Sequence, residues 1–299
     1  NMLGIRPERI VTHLHPRYIS SALGERLSKD RGIPLWRVQH HHAHGLSVMA
    51  EHGLSGKAAA FVFDGTGYGT DGTIWGGEIL LLEGNQMVRA GHLDAMPLLG
   101  GDISMKQAWK TGLASLVYAS LQAEDHRYGL VKTALAAGVN TIRDSAMGRL
   151  FDSAAALLHL KEENRFKGEC AMALEQAALR AKRKGKAALP LHLSLKEEKG
   201  QLIWHREDLI ASLVEADGTI EEAALGFHRA IVDMVVESAR LLGVEQVILT
   251  GGCFHNGILW TETKEALTKE HFKVYGNEKV PCGDGGISLG QAFYGLMQG

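Results

Sequence analysis

Cysteine is scarce in this sequence, and where it occurs it is scattered. The three residues Cys170, Cys253 and Cys282 form no C-x-x-C pair. Their spacing argues against a zinc ribbon and a disulfide framework, and points to a reducing cytoplasm. Each reads first as a small buried hydrophobe. A dominant charge is lacking too: 32 basic residues stand against 34 acidic ones, for a net charge of −2, so a dedicated duplex nucleic-acid binder is not expected. No apolar run approaches the roughly 20 residues that span a bilayer. No secretory leader is legible, no short repeat recurs, and no linker is long enough to be disordered. Structured-looking sequence begins directly after Asn1-Met2-Leu3-Gly4, which reads as the start of a fragment whose upstream part is missing.

What is present is an ordinary globular composition, 45% hydrophobic and 22% charged, in 299 residues, long enough for two lobes with their own cores. Two segments stand out. Val38-Gln39-His40-His41-His42-Ala43-His44 places four histidines in seven residues at the start of a predicted helix. Phe63-Asp64-Gly65-Thr66-Gly67-Tyr68-Gly69-Thr70-Asp71-Gly72 sets a carboxylate into a glycine-rich run at the end of an apolar stretch. Glycine, at 36 residues, also pairs up beside polar residues at Gly100-Gly101, Gly251-Gly252 and Gly285-Gly286. Ordinary turn chemistry explains most glycines, but such pairs also let a backbone approach an anion.

The hydrophobic pattern predicts a helix over 17–29 and a short buried strand over 35–38. The histidine helix should run to about Glu51 and stop at Gly53, followed by a buried strand over 57–64 that ends in the glycine-rich turn. Strands over 73–83 and 87–94 meet at Gly84-Asn85, a hairpin signal. Helices are predicted over 104–121, 145–158 and 168–182, and a two-stranded excursion over 191–204. A helical stretch over 207–242 should break near Asp217-Gly218. Strand 247–250 delivers Gly251-Gly252 into a turn, a helix starts at Asn256, and another covers 287–297. Strand, glycine turn and helix in succession indicate α/β layers, whose ligands gather where strand ends meet helix N-termini.

Residues four apart on a helix share a face, so His40 and His44 can aim at one cation, with His41 and His44 as an alternative pair. Asp64 and Asp284 each stand at a glycine-rich turn, where two oxygens can complete two nitrogens around a divalent ion and leave positions open for substrate. Zinc and iron both suit that mixed donor set. Gly65, Thr66, Gly67, Gly251 and Gly252 offer N–H groups to a phosphate, and the Asn256 amide offers a donor to a ribose or phosphate. Asp102, after Gly101, reads as a polar candidate or as a helix N-cap. Asp152 is a polar candidate among apolar neighbours, and Lys106 can offset phosphate charge or remain solvated.

The stretches VQHHHAH (38–44), FDGTGYGTDGTIWGGE (63–78), LGGD (99–102), GRLFD (148–152), GGCFHN (251–256) and GDGGISLGQ (283–291) keep their order over most of the chain. Together they resemble the carboxy-terminal carbamoyltransferase domain of the HypF family of hydrogenase maturation proteins. More broadly they are similar to the tRNA threonylcarbamoyladenosine synthases and O-carbamoyltransferases of the actin-like, sugar-kinase-like ATPase superfamily. The resemblance implies an α/β fold of two ribonuclease-H-like lobes about a central cleft. It also implies an incomplete amino-terminal lobe over residues 1–100 and a carboxy-terminal lobe over residues 101–299 that carries a helical insertion. It implies His40, His44, Asp64 and Asp284 as ligands of one divalent metal, iron or zinc. It implies nucleotide contacts, to ATP or carbamoyl-adenylate, at Gly65, Thr66, Gly67, Gly101, Asp102, Asp152, Gly168, Gly251, Gly252 and Asn256, with Asp64 and Asp152 serving catalysis.

The reaction so implied moves a carbamoyl group from an adenylate to the carboxy-terminal cysteine thiol of a HypE-like acceptor, toward the cyanide ligands of [NiFe]-hydrogenase. An upstream domain of the same protein would make the adenylate. A tRNA-modifying relative and a non-catalytic ATP-binding module are the other readings. Three positions depart from the family pattern: Ala108 replaces a usual proline, Lys167 a usual acidic residue, and His13 a common aspartate.

Overall fold

A computed structural model describes residues 6–298. The chain enters through a short parallel pair, β1 (Ile10–His13) and β2 (Leu35–Val38), connected by α1 (Ile19–Arg31). Helix α2 (His40–His52) follows at once. Then come β3 (Lys57–Tyr68), β4 (Ile74–Glu83), β5 (Gln86–Leu93), β6 (Met96–Leu99), α3 (Ala108–Tyr118), α4 (Tyr128–Ala136), β7 (Thr141–Asp144), α5 (Met147–Leu157) and α6 (Glu169–Arg183). The remainder is β8 (Ser194–Glu198), β9 (Gln201–His205), α7 (Glu207–Glu215), α8 (Ile220–Leu242), β10 (Gln246–Thr250), α9 (Gly257–Lys269), β11 (Lys273–Gly276) and α10 (Ile287–Leu296). One sheet runs β11-β10-β3-β4-β5-β9-β8, with β7 joining β4 and β6 joining β7. Strands from both sides of residue 100 therefore share it.

Strand β3 sits centrally, parallel to β10 and antiparallel to β4. Its run Ala58–Phe63 is apolar on both faces, as a strand covered on both sides must be. Period two then sorts its side chains. Odd positions Ala59, Phe61 and Phe63 enter a large core with α3, α5, α6 and α8. Even positions Ala58, Ala60 and Val62 pack with Leu46 and Met49 of α2. The next even position is Asp64, so the register itself aims this carboxylate at α2.

Helix α2 stops at Gly53 as expected, closed there in the left-handed conformation, and the Gln39 side chain caps its start by accepting from the His42 N–H. A capping box at Thr219 and Glu222 starts α8, after the break expected near Asp217-Gly218. Several elements differ from the expectation. β1, β6, β7, β11 and α4 were not anticipated, and helix α3 begins at Ala108 after a 3₁₀ turn, Gly101–Met105. The glycine-rich run is not a simple turn: β3 continues to Tyr68, and its pairing with β4 slips between Phe63↔Gly77 and Gly67↔Trp75. Residues 64–66 thus bulge opposite Gly76 alone.

Asp144 ends β7 fully buried, with its Oδ2 unpartnered. Burial pushes its carboxyl up to about 7, against the pull of Arg206 and Arg149. Between pH 4 and pH 7 the folded chain therefore holds a proton that the unfolded chain has released, and stability falls as pH rises through that window. Asp144→Asn removes the dependence. Its urea-unfolding free energy, relative to wild type, should be roughly 2 kcal/mol more favourable at pH 8 than at pH 5. An equal difference at both pH values would show that Asp144 is ionised throughout.

Candidate metal centre

Three elements bring four ligand-type side chains together. His40 and His44 lie one turn apart on α2, Asp64 ends the even row of β3, and Asp284 opens the 3₁₀ turn Asp284–Gly286 that leads into α10. One donor atom from each lies within 4.8 Å of all the others. His40 Nε2 is 3.1 Å from Asp64 Oδ2 and 3.8 Å from Asp284 Oδ1; His44 Nε2 is 3.8 Å and 4.0 Å from the same oxygens. His40, His44 and Asp64 are buried, whereas the Asp284 side chain is 56% exposed, so the cluster opens to solvent on that side.

The protonation states suit a cation. Burial pushes the His44 imidazole down to about 4, which keeps it neutral near pH 7. Burial opposes ionisation of Asp64, but its hydrogen bond with His40 and the electrostatic pull of His44, His40 and His41 together outweigh this and hold the carboxyl well below the usual range. Neutral imidazole and ionised carboxylate are the ligating forms. Both ring nitrogens of His44 are buried without a hydrogen-bond partner, and burial of that kind costs about 1–3 kcal/mol per group. A divalent ion at Nε2 would relieve part of it. The donor set therefore fits a metal.

Glycines let three backbones close around Asp64. A Cβ at Gly251, where φ is +98°, would lie 2.3 Å from the Phe63 carbonyl oxygen; one at Gly252 would lie 2.9 Å from Asp64 Oδ1. A Cβ at Gly148 would lie 2.7 Å from the Gly65 Cα. Gly67 packs against the His40 and His41 rings in the same way, and Thr66 lies half-buried between these glycines. Of the nucleotide-contact residues expected from the sequence, Gly65, Gly67, Gly251 and Gly252 thus adjoin the quartet.

The others have different neighbours. Asp152 is buried on α5, 2.7 Å from Arg149 Nη2 and 3.0 Å from Asn164 Nδ2, and burial pushes its carboxyl up. Gly168 caps α6 at φ +84°, next to Lys167, whose Nζ lies 3.0 Å from Asp284 Oδ2. The Asn256 amide is engaged within the protein: its oxygen caps α9 at the Leu259 N–H, and its nitrogen lies 2.9 Å from His228 Nε2. Gly101 faces Asn140. The Asp102 side chain lies outside the described residues.

Sequence reading overlooked Arg149. It is buried beside Gly65 and paired with Asp152, yet its Nε and Nη1 have no partner. The available signal was an arginine inside an otherwise apolar helical run, since a buried guanidinium demands an acceptor. His13 also reaches the centre, its ring 5.4 Å from that of His40. Cys253 follows the Gly251-Gly252 turn, and burial together with the nearby Asp64 charge pushes its thiol well up, so it stays protonated.

Comparison with known proteins gives the chain a family. Residues 60–291 match the model of the carbamoyltransferase, Kae1-like domain, second subdomain, and residues 1–51 match the HypF Kae1-like domain. A carbamoyltransferase HypF homolog of Cupriavidus necator is 33% identical over 97% of this chain and 78% of its own length. The carbamoyltransferase HypF of Synechocystis is 34% identical over 95% of this chain but only 40% of its own. A full-length HypF crystallised in a phosphate- and nucleotide-bound form superposes with a TM-score of 0.87 at 32% identity, over 99% of this chain and 40% of that one. The chain thus spans about two-fifths of the longer relatives, and its α/β fold is the actin-like one expected from the sequence. It belongs to the HypF family, whose Kae1-like carbamoyltransferase domain it represents.

Proposed function

We propose that this domain transfers a carbamoyl group from carbamoyl-adenylate to a protein thiol during hydrogenase maturation. The acceptor is a HypE-like protein ending in cysteine, and its thiocarboxamide is the precursor of a cyanide ligand. A preceding domain of the same polypeptide supplies the adenylate, in keeping with relatives more than twice as long. Among the described residues no helix is long and apolar enough to cross a membrane, which suits a cytoplasmic location. The observation that carries the reading is the convergence of His40, His44, Asp64 and Asp284 beside the glycines that close on Asp64.

A divalent ion, zinc or iron, bound by those four residues would supply Lewis acidity toward an oxygen of the adenylate. Gly65 and Gly252 admit the phosphate close to the backbone, where a larger side chain would block it. Arg149, whose buried Nε and Nη1 lack a protein acceptor, would take phosphate oxygens, while Asp152 holds its Nη2. Cys253 is held as a thiol, so the nucleophile comes from the acceptor. Its thiolate attacks the carbamoyl carbon, the bond from that carbon to the adenylate oxygen breaks, and AMP departs with the electron pair.

Given carbamoyl-adenylate, the chain should add one carbamoyl group to a peptide ending in cysteine and none to the same peptide ending in serine, as read by mass spectrometry. Carbamoylation of a tRNA with no modified cysteine would sink the proposal and favour the tRNA-modifying relatives.

A further inference from the structure

A cationic side chain stands beside the four ligands. Lys167 Nζ lies 3.0 Å from Asp284 Oδ2, while Oδ1 of the same carboxylate faces His40 and His44 at 3.8 Å and 4.0 Å. One carboxylate is thus shared between an ammonium and the cation site. The fold delivers this lysine deliberately. Glu169 accepts from Lys161 and Arg165 at 2.8 Å and 2.7 Å, and from the Arg165 backbone N–H. Asn164 donates to the Met105 carbonyl and to Asp152, and accepts from the Cys170 N–H. Segment 164–170 is therefore pinned on both sides of Lys167, although the lysine side chain itself is 72% exposed.

We infer that Lys167 is a positioning residue that sets the charge of the centre, holding Asp284 against the histidines while weakening the grip on a divalent ion. Imidazoles ligate a metal in their neutral form, so the two carboxylates would balance a divalent ion, and Lys167 leaves one positive charge in excess. Lys167 meets Oδ2 while the cation site faces Oδ1, and two cations on different oxygens of one carboxylate would stand roughly 5 Å apart. At that distance, near a solvated surface and at physiological salt, repulsion lowers affinity about tenfold. The opposing benefit, a better-ordered Asp284, is that of an exposed ion pair and amounts to at most about fivefold. Repulsion wins.

The test is chelator competition with Co²⁺ on the full chain. Lys167→Gln should bind Co²⁺ about tenfold tighter than wild type at about 0.1 M salt, the gain falling below about threefold at about 1 M. Lys167→Arg, which keeps the charge, should match wild type. Unchanged or weaker binding by Lys167→Gln overturns the inference, as does a gain insensitive to salt, which would be a change of shape rather than of charge. The inference rests on the metal reading of the quartet. A wild-type chain that takes up no Co²⁺ overturns both, whereas wild-type uptake without tighter binding by Lys167→Gln overturns this step alone.

Discussion

His40→Ala combined with His44→Ala should strip the chain of divalent metal and leave its fold standing. The two rings supply both nitrogen donors of the quartet, and two aspartates alone make a weak oxygen site. Bound metal should drop from about one equivalent per chain to under about a tenth after dialysis, measured by elemental analysis. The apo-protein should stay folded at a moderate cost. Alanine is the best helix former, the Gln39 cap is untouched, and the uncompensated burial of His44 disappears with the ring. These gains offset part of the cavity left behind and of the partner that buried Asp64 loses with His40, so urea unfolding of the apo-forms should differ by about 2–4 kcal/mol. Stabilisation by added metal, about 2.7 kcal/mol in wild type at a hundredfold excess over Kd, should vanish. Metal content unchanged by the double substitution would remove the basis for the centre.

The parts of this centre that sequence reveals are those governed by local periodicity. Period 3.6 places His40 and His44 on one face, and an apolar run ending at a polar residue marks Asp64 as the place where the buried run of β3 stops, although the strand itself goes on to Tyr68. Asp284 is different. It lies 220 positions beyond Asp64 in the chain, and only the parallel pairing of β10 with β3 and the packing of α10 on α2 bring its turn to the histidines. The run 64–72 misled for a related reason. Its glycines signal a turn, yet Trp75 and Ile74 of β4 recapture the strand at Gly67 and Tyr68 and turn the irregularity into a bulge. Strands such as β1 and β11, four residues each, are too short to show alternation. Arg149 reads as an ordinary helical arginine until α5 is seen to be buried around it. Asn256, singled out as a ligand donor, carries an equally good N-cap signal, and its oxygen makes that cap.

One methyl group at Gly290 should disturb the centre more than most substitutions near it. This glycine lies where α10 crosses α2: a Cβ there would sit 1.9 Å from the Ala43 carbonyl oxygen and 2.9 Å from the Ser47 nitrogen. Both are backbone atoms of a helix and have no rotamer to yield, so the helices must part by about 1–2 Å. Helix α2 carries His40 and His44, and the turn leading into α10 carries Asp284, so parting them spreads the quartet as well as the core beneath it. Gly290→Ala should cost about 3 kcal/mol in urea unfolding and weaken metal binding at least about tenfold. Gly129→Ala on α4, where nothing lies within 4 Å of the added Cβ, provides the contrast: it should be neutral or stabilising by up to about 1 kcal/mol, with metal affinity unchanged. Equal unfolding midpoints for the two variants would mean that α2 and α10 slide apart freely. The histidines would then owe their position to β3 and the Gln39 cap alone.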